Sequence, residues 1–467
     1  MLYHSTRCAS SVPFSQTLFS GPAPDGGLYV PATWPDLSCA DVEACRGISY
    51  ADLATRVLAP FLGEGLDPAT LKALCQATYA PEVFRHPNVA PLRQIADDFY
   101  LLELFYGPTL LFKDYALQFL ARLFDHFLTA QQRRITILLA TSGDTGSAAI
   151  EAFKNIRNAR IFVLHPAGRP SEIQRRQMTT VQAPNVFNLA VDGSFDACQA
   201  LVKTLFSDAA LVSDLNLTAV NSINWARIAA QVVYYVSAAR VLGAPQKSVS
   251  FAVPTGNFGN VFAGYVARHI GVPIETLVIG TNRNDALTRF FETGVLSSDK
   301  VVPSLSPSMD IQVPSNFERY LYDLLRGDTA RLSALMTDFQ KTRCLALSIE
   351  EIERARREFF AARCSDAQTV ERISEVYKTS GTLIDPHTAV GVFAAQQHRA
   401  RTGGKGPLVA LACAHPAKFP DTVEKATGVR PPLPEFLSDL PRRAERFVPV
   451  RDDLTIVRNY ILSHAVA

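Results

Sequence analysis

From about residue 98 to 285 the chain alternates short apolar runs with amphipathic helical patterns, and this alternation narrows the possible folds most. The runs lie at 100–105, 135–140, 160–164, 249–253 and 277–280, and a further one follows at 408–412. Each is apolar at consecutive rather than alternate positions, which reads as a strand buried on both faces. Buried strands separated by helices imply a mostly parallel sheet covered on both sides, an α/β architecture. Ligands of such sheets gather in the loops beyond the strand ends, so those loops are where chemistry is sought.

The first of these loops holds Gly107-Pro108, which breaks the run at 100–105. A helix is expected after it, with Leu117, Leu120, Phe124, Phe127 and Leu128 at helical spacing and Asp114 placed to cap its start. Lys113 therefore falls at a strand-to-helix corner. A helix start favours anions, so a lysine there gains nothing from the dipole. Flanked by Phe112 and Tyr115, it is either a candidate amine nucleophile of lowered pKa or a solvated turn residue.

The run at 135–140 is followed by Thr141-Ser142-Gly143-Asp144-Thr145-Gly146. Hydroxyls, glycines and free N–H groups at a helix start suit a carboxylate or phosphate, and equally suit a tight capped turn. The run at 249–253 leads into Pro254-Thr255-Gly256-Asn257-Phe258-Gly259-Asn260, which opens a helix. Its two glycines allow backbone amides to approach an anion, though it is neither a dinucleotide fingerprint nor a Walker loop. After 408–412 comes Cys413-Ala414-His415-Pro416-Ala417-Lys418-Phe419. No Gly-x-Ser-x-Gly elbow accompanies this lone histidine, which disfavours a hydrolytic triad. A corner lysine with two anion-ready loops is the equipment that pyridoxal 5'-phosphate needs: an amine for its aldehyde and a cradle for its phosphate.

At 467 residues the chain exceeds one ordinary domain. The expected divisions are an N-terminal domain at 1–95, a cofactor-binding α/β core at 96–285, a mostly helical insertion at 286–380, and a return to the core with a helical tail at 381–467. Lysine plus arginine (46) nearly balances aspartate plus glutamate (44), so no global field points to nucleic acid or a membrane. Eight scattered cysteines without a Cys-x-x-Cys pair argue against structural zinc and for a reducing compartment. No signal-peptide core or bilayer-length run is found, so a cytoplasmic protein without a metal is expected.

In order along the chain, Gly-Gly-Leu-Tyr-Val-Pro at 26–31, Gly-Pro-Thr-Leu-Leu-Phe-Lys-Asp at 107–114 and Thr-Ser-Gly-Asp-Thr-Gly at 141–146 resemble the signatures of the threonine synthases. So do Asp-Gly-Ser-Phe-Asp-Ala-Cys-Gln at 192–199, Asn-Ser-Ile-Asn at 221–224, the stretch 255–260, Thr-Asn-Arg-Asn-Asp at 281–285 and His-Pro-Ala-Lys-Phe at 415–419. The resemblance covers nearly the whole chain and implies a fold type II pyridoxal-phosphate enzyme with two open, mostly parallel sheet lobes. It implies conversion of O-phospho-L-homoserine and water to L-threonine and phosphate, the last step of threonine biosynthesis, by a monomer or homodimer.

By the same resemblance Lys113 bonds the cofactor aldehyde, and Gly256, Asn257, Phe258, Gly259 and Asn260 cradle its phosphate. Ser142, Gly143, Asp144 and Thr145 line the substrate side, with Thr109, Asn221, Asn224 and Lys418 as further substrate contacts. Lys418, Arg283 and Arg227 are candidates for the leaving phosphate, each with a solvated-surface alternative. Cys413 stands opposite the pyridine nitrogen where the family typically has threonine, and a thiol is the weaker donor; a buried small residue is the alternative. The rival readings are a threonine or serine dehydratase-like lyase and a non-catalytic homologue that binds phosphorylated ligands.

Overall fold

The computed structural model describes residues 1–465, which fall into two compact units. The first comprises Met1–Thr17, Pro22–Phe112 and Ser222–Pro432; the second comprises Leu18–Gly21, Lys113–Asn221 and the chain from Leu433 on.

The first unit is built on a six-stranded sheet. Its strands run Phe359–Arg363, Ile274–Thr281, Val249–Pro254, Leu408–Ala412, Phe99–Glu103 and Leu92–Ala96 across the sheet. The first five are mutually parallel, and only Leu92–Ala96 runs antiparallel to its neighbour. Every residue of Val249–Pro254 and Leu408–Ala412 is buried, as consecutive apolar positions in a two-sided sheet require. The helix Pro386–Thr402 packs its Ala389, Val392, Ala394 and Ala395 onto one face with Ala252, Val278 and Ala410. In the helix Trp225–Val241 every residue from Trp225 to Ala239 is buried. An antiparallel three-stranded sheet of Cys8–Pro13, Leu2–Ser5 and Tyr29–Pro31 belongs to the same unit.

The second unit is a five-stranded, wholly parallel sheet in the order Val448–Arg451, Val186–Asp192, Ala159–Pro166, Ile135–Ala140, Leu217–Thr218. One face is closed by Cys198, Leu201 and Leu205 of the helix Phe195–Ser207 and by Val457 and Ile461 of the helix Leu454–Ala465.

One local expectation is corrected. Asp114 does not cap the lysine helix: that helix, Lys113–Ala130, opens on Lys113 itself, and Asp114 is fully buried in its first turn. The chain is held by pairing up to Phe112, so the helix begins as soon as that pairing ends, and Asp114 still complements the dipole. The stretch 286–380 is largely helical. Beside five helices it supplies the hairpin of Val295–Ser297 with Cys344–Ala346, and the edge strand Phe359–Arg363 of the six-stranded sheet.

Candidate active site

The segment before Lys113 is tied to the segment that leaves the strand Leu408–Ala412. Leu104 N donates to Ala412 O at 2.9 Å, Phe112 N to Cys413 O at 2.9 Å and His415 N to Leu110 O at 3.0 Å. Leu111 forms an antiparallel bridge with Ala414. Leu110 adopts φ +64, a left-handed conformation costly for a leucine, and is buried. Surrounding structure must over-determine such a residue, and strain of this kind clusters where function needs a fixed geometry. The result is a lysine at an enforced corner, only partly exposed.

The anion-ready loop of the first unit follows the strand Val249–Pro254. Phe258 lies at φ +62 with its ring buried among Phe317, Tyr320 and Phe359 at centroid separations of 5.0, 6.0 and 5.7 Å. A left-handed residue ahead of the helix Gly259–His269 turns successive backbone N–H groups toward one concavity, at the positive end of a helix. The back of the loop is closed. Asn316 donates to Asn257 O from both its backbone N–H (3.0 Å) and its Nδ2 (3.1 Å), and Ser315 Oγ donates to Asn257 Oδ1 at 3.1 Å. A Cβ on Gly256 would stand 3.0 Å from Ser308 O, so the glycine lets two backbones touch.

Asn260 uses its side chain differently from the rest of the loop. Its Oδ1 accepts from Tyr234 (2.6 Å) and Tyr235 (2.9 Å), and its Nδ2 approaches Cys413 Sγ at 3.9 Å. Two predicted cofactor residues, Asn260 and Cys413, are thus in contact, and both are buried.

Lys418 ends the short turn Pro416–Lys418 and is completely buried, which disposes of its solvated alternative. Its Nζ donates to Thr109 O at 3.2 Å, so these two predicted substrate residues also meet. Nearby His415 is pushed down to about 4, by burial first and by the Lys418 charge second, against the opposing pull of Asp385. Asp385, itself fully buried, accepts from His387 Nδ1 at 2.7 Å. The other two candidate cations separate cleanly. Arg227 is buried, and burial pushes its guanidinium down to about 10. Arg283 has a half-exposed side chain paired with Asp366 at 3.7 Å, and belongs to the surface. Asn224 spends its Oδ1 on capping the helix Trp225–Val241, accepting from Ala226 N at 3.0 Å.

In the second unit, Ser142 is exposed and Thr145 partly so, while Gly143 and Asp144 are buried at the start of the helix Asp144–Phe153. Thr141 Oγ1 accepts from Gly143 N (3.0 Å) and Gly146 N (2.9 Å), and Gln174 Nε2 donates to Asp144 Oδ1 at 3.0 Å. Gly143 sits at φ +139, and a Cβ there would meet Gln174 Cβ at 2.9 Å. Asn221 is partly exposed at the end of this unit.

Three family descriptions tile the chain: "Threonine synthase N terminus" matches residues 2–79, "Pyridoxal-phosphate dependent enzyme" matches 80–414 and "Threonine synthase, C-terminal" matches 388–461. A threonine synthase of Pseudomonas aeruginosa is 48% identical over 466 residues, covering 99% of this chain and 98% of that one. The chain belongs to the threonine synthase family. It is similar in structure to the PLP-bound threonine synthase of Brucella melitensis, with a TM-score of 0.97 at 46% identity over 100% of both chains. The yeast threonine synthase superposes with a TM-score of 0.93 at 37% identity, over 99% of this chain and 98% of that one. The chain is accordingly a lyase that depends on pyridoxal 5'-phosphate. No helix of the described residues is long and apolar enough to cross a membrane.

The donor set fits that cofactor. A glycine loop closed from behind, at the start of a helix, would hold a phosphate through its backbone N–H groups. Sequence reasoning missed the residues behind this front row: Tyr234, Tyr235, Asn316, Arg319 and the Asp385–His387 pair. Adjacent tyrosines inside a largely apolar helix carried a signal, because buried phenols need partners. Asn316 and Arg319 carried none.

Proposed function

We propose that this threonine synthase converts O-phospho-L-homoserine and water into L-threonine and phosphate with Lys113 as the proton-moving group. The arrangement that carries this reading is the lysine corner, enforced by the pairing of residues 104–112 with 412–415. The cofactor, when bound, supplies an electron sink for charge that develops beside the amino-bearing carbon. The Lys113 amine takes and returns protons at the α- and β-carbons of the substrate. The loop Gly256–Asn260 would hold the cofactor phosphate through backbone N–H groups, and Cys413 would offer the pyridine ring a neutral partner. The loop 141–146 would hold the substrate carboxylate through N–H groups at its helix start, and Thr109, Asn221 and Asn224 are further candidate substrate contacts. Lys418 and Arg227, both buried cations, neutralise the leaving phosphate; its charge grows as the bond to the γ-carbon breaks.

The nearly balanced charge supports a small-molecule substrate rather than nucleic acid. All eight cysteines are free thiols, which supports a reducing compartment such as the cytoplasm.

The test is Lys113→Ala, assayed for phosphate release from O-phospho-L-homoserine and for the absorbance of the lysine-bound cofactor. Both should vanish while the protein stays folded. Retained turnover would remove Lys113 from its role; in the wild-type protein, turnover of threonine or serine without that of phosphohomoserine would favour the dehydratase reading.

A further inference from the structure

Arg319 is almost completely buried, and its hydrogen bonds among the described residues go to no carboxylate, although the charge of neighbouring Glu318 favours the cation. Its guanidinium is held by oxygens alone: Nε donates to Tyr29 O (2.9 Å), one terminal nitrogen to Asn316 Oδ1 (2.5 Å) and the other to Ile223 O (2.6 Å). The face of Trp225 lies 5.6 Å away. Its sequence neighbour Glu318 turns instead to Arg7 and Thr6. Burying a cation without a matching anion is costly, so a retained one calls for a compensating charge elsewhere.

The connections of Arg319 say where that charge belongs. By gripping Asn316 Oδ1 it fixes which end of the carboxamide points at the loop, and Asn316 Nδ2 then donates to Asn257 O. The same side chain holds the carbonyls of Tyr29 and Ile223, which lie in the stretches 26–31 and 221–224. Two separate motifs therefore meet on one buried guanidinium, and a third, 255–260, is joined to it through Asn316.

We propose that Arg319 is a positioning residue for the cofactor phosphate: it orients Asn316, which fixes the carbonyl of Asn257, and its buried positive charge is balanced by the anion the loop receives. This rests on the reading that the loop Gly256–Asn260 takes the phosphate. In this proposal Arg319 acts through Asn316 and through its field rather than by direct contact.

The test uses the full chain stripped of cofactor and measures, by equilibrium dialysis, the affinity for pyridoxal 5'-phosphate and for pyridoxal, which lacks the phosphate. Arg319→Met should weaken the phosphorylated ligand by about tenfold or more and pyridoxal by less than about twofold. Asn316→Asp keeps an acceptor for Arg319 and gives it a carboxylate, while turning an anionic oxygen toward Asn257 O. That apoprotein should melt no lower than wild type and still lose phosphorylated-ligand affinity at least tenfold, by the same reasoning.

Equal losses for the two ligands, or no loss, would overturn the proposal. So would failure of both variants to fold, which would make Arg319 a packing residue. Gly256→Ala separates the two layers of the argument. If it leaves affinity for the phosphorylated ligand unchanged, the loop reading fails; if it weakens binding while Arg319→Met does not, only the role of Arg319 fails.

Discussion

Replacing Gly143 by alanine should damage the loop 141–146 twice over. The backbone at φ +139 lies where an L side chain is strained, which costs on the order of 1–3 kcal/mol. The new methyl would also stand 2.9 Å from Gln174 Cβ and 3.0 Å from its Cδ. Cβ is the fixed root of a buried side chain, and Cδ carries the amide that is itself bonded to Asp144 at 3.0 Å, so neither can simply swing away. Displacing it sacrifices that bond, on the order of 1–3 kcal/mol. The two costs overlap, because a shifted loop relieves part of each, and a total of about 3 kcal/mol is expected. A unit of this size loses about 2–4 °C per kcal/mol, so the melting temperature of the apoprotein should drop by about 6–12 °C.

The loop is also the proposed seat of the substrate carboxylate, so KM for O-phospho-L-homoserine should rise more than kcat falls. Pairing Gly143→Ala with Gln174→Gly divides the effect. With Gln174 trimmed there is no clash, and the alanine should then cost only its backbone strain, about 1–3 kcal/mol. A melting temperature within about 2 °C of wild type and an unchanged KM for the single variant would refute this reasoning.

Three further outcomes are expected. Cys413→Thr replaces a buried thiol with a hydroxyl of similar size beside Asn260 Nδ2, and should retain turnover and cofactor; loss of cofactor would mean that the thiol is specifically required. Lys418→Met should keep the bound-cofactor absorbance but lower kcat/KM roughly 30- to 150-fold, the value of about 2–3 kcal/mol for a lost charged contact, and an unchanged rate would place the lysine outside the site. His415, held at about 4 by burial, has a folded pKa below its unfolded value near 6.5. The unfolded chain then binds more protons between about pH 4 and 6.5, so stability is full above that window and falls through it on acidification, by at most ~3 kcal/mol. His165 and His398 are shifted the same way by burial and add to the slope, so His415→Gln should flatten the acid limb in part; an identical limb would show that His415 is not buried neutral.

Much of the core was legible along the chain because parallel strands buried on both faces are apolar at every position. The runs at 135–140, 249–253 and 408–412 became strands at Ile135–Ala140, Val249–Pro254 and Leu408–Ala412. The charged stretch at 349–358 is the helix Ile349–Glu358, with Glu351 turned onto Arg331. The edge strand Phe359–Arg363 was overlooked because it abuts that helix without a break, and its apolar run is short.

Lys113, the glycine loops and the order of the motifs are properties of the sequence by itself, since backbone breaks, caps and helix starts are set by near neighbours. Whether a cation among the candidates faces water or the interior was not. Lys418, Arg227 and Arg283 look alike in sequence, and folding buries the first two and leaves the third at the surface. The same holds for the layer behind the loop. Asn316 reaches Asn257, and Arg319 reaches Tyr29 and Ile223, across separations that only the folded chain closes. Burial and long-range hydrogen bonding depend on what the rest of the chain brings alongside, and no local pattern encodes that.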